Sequence, residues 1–300
     1  MAVELDYSIV DVFTRTALAG NPLAVVLDTA GLDSQRMQAV AREFNLSETT
    51  FVQRRSAEIE KVEGVRVRIF TTQEELNFAG HPTLGTASVL KTLAPEAIQN
   101  DTLGLALNVG RVPVRFERGS DNGAGLFGEM TQRDPEFGRE LEPSHVARLT
   151  GLDPSDLDSG APPQVVSTGT AFAIVLLRSV DALTRLRVNH EEATPWLRER
   201  GARWFYILAP TGSTDPAFRA RMQFYGGEDP ATGSAAGCAV SYLLARGFVS
   251  SGRQVLLRQG VEIRRLSDLF LSAKQENAKV TDVRVGGSTV LVAKGRIFLP

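Results

Sequence analysis

Alternating apolar and polar positions, enriched in β-branched residues, predict strands over 7–13, 23–27, 49–53, 65–70, 105–108 and 112–116. Helical spacing is rarer. Met37, Val40, Ala41 and Phe44 fall on one face of a helix expected over 34–44, which Asn45 is placed to end. A second helix is expected from Pro82 to about Thr92, with proline at its first position. In the second half of the chain, "GEDPATGSAAG" at 227–237 is too small and too rich in turn formers to be a strand. It leads into "CAVSYLLARG", which predicts a turn feeding a helix, with Gly233 and Ser234 around the N-cap and Gly247 at the far end.

The two halves resemble each other. The stretch Gly20-Asn21-Pro22-Leu23-Ala24-Val25-Val26 lies on Gly169-Thr170-Ala171-Phe172-Ala173-Ile174-Val175, each a glycine turn entering an apolar strand. Downstream, "HPTLGTASVL" at 81–90 lies on "GSAAGCAVSY" at 233–242, each a small-residue turn entering a helix through an inner glycine. The separations agree, 65 residues from Gly20 to Gly85 and 68 from Gly169 to Gly237. A period of about 150 residues points to two similar domains and not to a solenoid. "GSDNGAGLFG" at 119–128 is the natural boundary, giving domains over 1–120 and 121–300, with a last strand at about 286–300 read as returning to the first domain. The expected fold class is α+β: two domains, each a mixed, barrel-like sheet around a central helix, with the ligand site in a cleft between them.

Composition narrows the function. With 33 basic and 35 acidic side chains the net charge is −2, and no long basic run suggests nucleic acid or a membrane surface as partner. A small molecule or another protein is the expected partner. One cysteine, Cys238, leaves no internal disulfide, and acidic Glu4 and Asp6 stand where a secretory leader needs basic residues, so the expected location is the cytoplasm.

A helix N-terminus offers unpaired N–H groups and about half a positive charge, so the two small-residue turns are expected to receive a carboxylate or a developing anion. Glu48, in "NLSETTFV", is the first candidate for a base; as a lone residue it reads more readily as an exposed charge at a strand end. His81, between a glycine and a helix-starting proline, either contacts a ligand or satisfies local backbone. Asp229 reads equally as an Asx turn before Pro230, and Ser234 as a plain N-cap. His145 and His190 sit in polar stretches that read as surface helix. A serine hydrolase elbow, a phosphate loop and a zinc motif are all missing from the sequence, which leaves acid–base chemistry that calls for no metal and no cofactor.

"DVFTRTALAGNPLAVV", "AREFNLSETTFV", "RIFTTQEELNFAGHPTLGTA" and "GEDPATGSAAG", in that order, resemble the signature blocks of the PhzF family, the phenazine-biosynthesis isomerases and their relatives. The resemblance runs from about Asp11 to the C-terminus. It implies the diaminopimelate-epimerase fold, an active site between the domains and a homodimer. It also implies that Glu48 is the catalytic acid/base, that His81 and Asp229 support it, and that Asn21, Gly80, Gly233 and Ser234 line the substrate site. Epimerases and racemases of this fold use two cysteines, and a chain with Cys238 alone cannot do so. A single glutamate that removes a proton and returns it to another carbon is the mechanism the resemblance leaves. The implied reaction is a proton shift on a small cyclic amino acid such as trans-2,3-dihydro-3-hydroxyanthranilate; the alternatives are an isomerase or epimerase-like enzyme on a different small amino or carboxylic acid, or a non-catalytic small-molecule-binding protein that retains the site.

Overall fold

The computed structural model describes residues 3–117, 125–224 and 227–299. Contacts divide the chain into two units, residues 1–131 with 286–300, and residues 132–285. Of the boundary segment expected at 119–128, residues 119–124 lie outside the described residues, and 126–128 open a strand of the first unit.

In the first unit β1 (Val3–Val12) pairs antiparallel with β2 (Asn21–Val26), and β2 runs parallel to β3 (Glu48–Gln53). β3 is antiparallel to β4 (Val65–Phe70), and β4 is parallel to β5 (Thr102–Leu107). Antiparallel β6 (Gly110–Phe116) and β7 (Leu126–Thr131) follow. The last strand of the chain, Lys279–Leu299, pairs with β7 and, through its residues 289–299, with β1, closing a ring of eight. Closure leaves no sheet edge in the ring.

Parallel neighbours require crossovers, and the two here differ in kind. Helix α1 (Ser34–Phe44) joins β2 to β3 on the outside, burying only the stripe of Met37, Val40 and Ala41, while Asn45 ends it in the left-handed conformation. After α2 (Ala57–Glu63), helix α3 (Gly80–Leu93) joins β4 to β5 through the middle of the ring, where every residue from Gly80 to Leu90 is buried. It touches β1, β2, β3, β5, β6 and β7. The sequence of α3 suits that position: small and apolar residues occur all round it, so there is no polar face to turn outward. Gly85 permits the fit, since a Cβ there would lie 2.7 Å from Leu23 and 2.8 Å from Val12 side-chain carbons.

The second unit repeats the plan. β8 (Glu136–Glu140), β9 (Gln164–Ser167) and β10 (Ala171–Leu176) are successively antiparallel. β11 (Trp204–Pro210) is parallel to β10, β12 (Phe218–Arg221) antiparallel to β11, β13 (Val255–Gln259) parallel to β12, and β14 (Ser267–Glu276) antiparallel to β13. This order of senses is the one found from the last strand through β1 to β6. β10 takes the place of β2, as the Gly20 and Gly169 correspondence predicts; both glycines have positive φ, 67° and 136°. Helices α4 (Pro143–Thr150), α5 (Val180–Thr184) and α6 (His190–Glu199) bury one apolar side against Val165, Val175 and Ile207. Helix α7 (Gly233–Ala245) takes the place of α3, buried from Gly233 to Leu244. Thr86–Leu90 and Cys238–Tyr242 thus occupy equivalent helices. Gly247 closes α7 with a Schellman motif: its N–H donates to Leu244 O at 3.0 Å, and the Phe248 N–H to Leu243 O at 2.9 Å. Among the described residues no helix is long and apolar enough to cross a membrane.

Candidate active site

The residues singled out from the sequence fall into two sets, Asn21, Glu48, Gly80 and His81 in the first unit, and Asp229, Gly233 and Ser234 in the second. In the first unit, β2 and β3 place Leu23 opposite Glu48 in parallel register, and both strands begin at the end of the ring where α3 starts. Glu48 opens β3 directly after the loop that follows Asn45, which points its carboxyl to that end, with the side chain 13% exposed. This is not the solvated strand end that a lone glutamate suggests. His81, in the first turn of α3, is 3% exposed, and its Nε2 lies 3.5 Å from Glu48 Oε2. On the other side of the ring, His81 Nδ1 is 3.1 Å from Asn21 Nδ2.

The His81–Glu48 distance is that of an ion pair, yet burial pushes the His81 pKa down to about 3, so the imidazole is uncharged near neutral pH. The contact therefore joins a neutral ring to the carboxyl group, and such contacts tighten when substrate excludes water. A stability consequence follows. Between pH 6.5 and about 3 the unfolded chain binds a proton at His81 that the folded chain refuses, so stability present above pH 6.5 is lost as pH falls. Denaturant titrations of the wild type and His81→Asn should diverge below pH 6.5 by up to about 1.4 kcal/mol per pH unit. The comparison also cancels His190, whose pKa is lowered by partial burial in both proteins. Parallel curves would show that His81 is charged in the fold.

The N-cap of α3 is Ala79, which has no side chain to cap with, and the N-cap of α7, Thr232, makes no side-chain cap hydrogen bond. Thr232, and not Gly233 or Ser234, thus holds the N-cap position; Gly233 and the buried Ser234 are the first two residues of the helix. The Thr232 hydroxyl instead donates to Asp229 Oδ2 at 2.6 Å. Gln259 then fixes this corner: its Nε2 donates to Asp229 O at 2.8 Å and to Thr232 Oγ1 at 3.0 Å. Its Oε1 accepts from Thr232 N at 3.1 Å and from Tyr206 Oη at 3.0 Å. Burial, with Asp229 nearby, holds the Tyr206 hydroxyl well above its usual pKa, so it stays a donor. Thr232, Gln259 and Tyr206 escaped the sequence reading, because nothing local at 204–210 or 255–259 distinguishes a polar group that will face a helix start; "DPAT" is the one local signal for Thr232.

Cys238 is fully buried in α7, 3.5 Å from Thr168 Oγ1, and burial raises its pKa to about 11. It is a packed thiol, not a thiolate poised to take a proton. Cys238→Ala should retain turnover within about threefold, less than 1 kcal/mol of barrier; a loss of more than about a hundredfold in steady-state assays would give the thiol a chemical part. His145 stacks on Trp196 at 4.9 Å between centroids, and His190 begins α6. Among the described residues no group of three His, Cys, Asp or Glu side chains is arranged to hold a metal ion.

The arrangement has relatives. The family model for phenazine biosynthesis-like proteins, PhzC-PhzF, matches residues 10–295. The chain is 35% identical over 303 residues to the trans-2,3-dihydro-3-hydroxyanthranilate isomerase of Pseudomonas aeruginosa, covering 98% of this chain and 99% of that protein. Its fold is similar to that of a predicted epimerase from Pseudomonas aeruginosa, with a TM-score of 0.82 and 34% identity over 98% of this chain and 99% of the other. It is also similar in fold alone to a hydroxyproline epimerase from Agrobacterium vitis, with a TM-score of 0.64 and 12% identity over 99% and 93% of the two chains. An order of strand senses repeated in both units, each with a buried helix, Glu48 beside a neutral His81, and a match along nearly the whole chain lead to one conclusion: the protein belongs to the PhzC-PhzF family and is an isomerase.

Proposed function

We propose that this isomerase moves a proton between two carbons of a small cyclic amino acid, with Glu48 as the single group that takes the proton and gives it back. The observation that carries this reading is the pairing of Glu48 with His81 at the start of α3: a carboxyl group, largely shielded, facing a buried neutral imidazole at 3.5 Å. Removing a proton from carbon leaves an anion, and a neutral N–H with the uncapped helix start supplies donors for it without adding a competing base. A lone buried thiol supplies no second base on an opposite face, which disfavours two-base racemisation. Asp229, held by Thr232 and Gln259, takes the part of orienting the amino or keto group.

The chemistry needs no group beyond these side chains. Because a relative of 35% identity is named for trans-2,3-dihydro-3-hydroxyanthranilate, that compound is the substrate to try first. The test is incubation of the wild type with it in heavy water, following loss of substrate absorbance and deuterium on carbon. Turnover with label at the protonated carbon supports the reading. No turnover and no label at enzyme concentrations near those of the substrate would reject this compound and turn the search to other small amino and cyclic acids.

A further inference from the structure

Asn21 is fully buried at the first residue of β2, opposite Val12 of β1. Its place is rigid, because Gly20 before it has φ of 67° and its α-carbon packs so close to Val12 that a Cβ would lie 2.4 Å from the Val12 carbonyl oxygen. From there the Asn21 amide nitrogen reaches His81 Nδ1 at 3.1 Å, while His81 Nε2, which makes no hydrogen bond, faces Glu48 at 3.5 Å. A neutral imidazole carries one proton, on either nitrogen. An NH₂ group that donates to Nδ1 needs a lone pair there, which leaves the proton on Nε2, the nitrogen toward Glu48.

We propose that Asn21 is a positioning residue that holds His81 as its Nε2–H tautomer, so that His81 donates a hydrogen bond while Glu48 alone accepts the substrate proton. The proposal rests on the reading of Glu48 as the base and assigns Asn21 to the imidazole, not to the substrate. It explains why an amide is buried behind a histidine: with Nδ1 as the donor instead, Nε2 would present a lone pair and compete for the proton, and two bases would divide one task. Burial keeps the ring neutral, so its single proton must be placed by a neighbour.

The test is the tautomer itself. Wild-type protein labelled with ¹⁵N in histidine has three imidazoles, and His81→Gln identifies the resonances of His81 in long-range proton–nitrogen correlation spectra. The expected result near neutral pH is a protonated Nε2 and a lone-pair Nδ1. Asn21→Asp, of the same shape, offers an acceptor in place of the donor and should put a proton on Nδ1. It should lower kcat on trans-2,3-dihydro-3-hydroxyanthranilate at least about tenfold with little change in KM. A wild-type spectrum with the proton on Nδ1 overturns the proposal by itself, even if the variants fail to fold. So does an Asn21→Asp tautomer identical to that of the wild type, or an Asn21→Ala variant that raises KM and spares kcat, which would make Asn21 a substrate contact. Because the spectrum needs no substrate, a wrong base or a wrong substrate would show in the activity assays and leave the tautomer result standing.

Discussion

Glu48→Gln is expected to lower kcat by about 10²–10⁴-fold, the usual worth of general acid–base catalysis. Glutamine keeps the size and the hydrogen-bonding shape of the side chain and removes only its ability to exchange a proton. That loss corresponds to about 2.8–5.6 kcal/mol of barrier at ~1.4 kcal/mol per factor of ten. KM should move far less, because His81, Asn21 and the start of α3 remain in place. Deuterium incorporation from heavy water should fall in step with turnover, since both require the same proton to leave carbon. A loss below about tenfold in steady-state kinetics would remove Glu48 from the chemistry.

Gly237→Ala should destabilise the protein by about 2–5 kcal/mol, as overpacking and the loss of buried hydrogen bonds combine. The new Cβ would lie 2.0 Å from Gln132 Oε1. Gln132 is 7% exposed and held at both ends, accepting from Thr168 Oγ1 at 2.6 Å and donating to Gly233 O at 2.9 Å. It cannot swing aside without leaving polar atoms buried and unpaired. Since Gly233 begins α7, the same change shifts the corner that holds Asp229, so any folded fraction should also lose activity. Gly31→Ala is the control: a Cβ there meets nothing within 4 Å, and the cost should stay within about 0.5 kcal/mol. Equal denaturation midpoints for the two variants would mean that Gln132 relaxes freely.

Much of the fold was legible because its signals are local. Asn45 ends α1 as its αL preference requires, and β4 spans the residues that its alternation picks out. The duplication showed itself through two pairs of glycines, at the turns before β2 and β10 and inside α3 and α7, where side chains are excluded by the backbone or by close packing. Less was legible at element ends: α3 begins at Gly80, two residues before the proline that signals a helix start, because the surrounding strands bury a first turn that would be a poor one in water. The N-cap of α7 was misplaced for a related reason, since Thr232 turns its hydroxyl to Asp229 in place of its own helix.

The sequence by itself determined the repeated α+β plan, the absence of a second thiol, and the short list of groups able to move a proton, because periodicity, composition and turn chemistry depend on residue type alone. Only the tertiary structure decided what those groups are. Glu48, an exposed charge by its local context, stands beside a ring whose pKa is pushed to about 3, and Asn21 reaches that ring from 60 positions away in the chain. Such properties come from burial and distance, which exist only once β1, β2 and β3 have closed around α3.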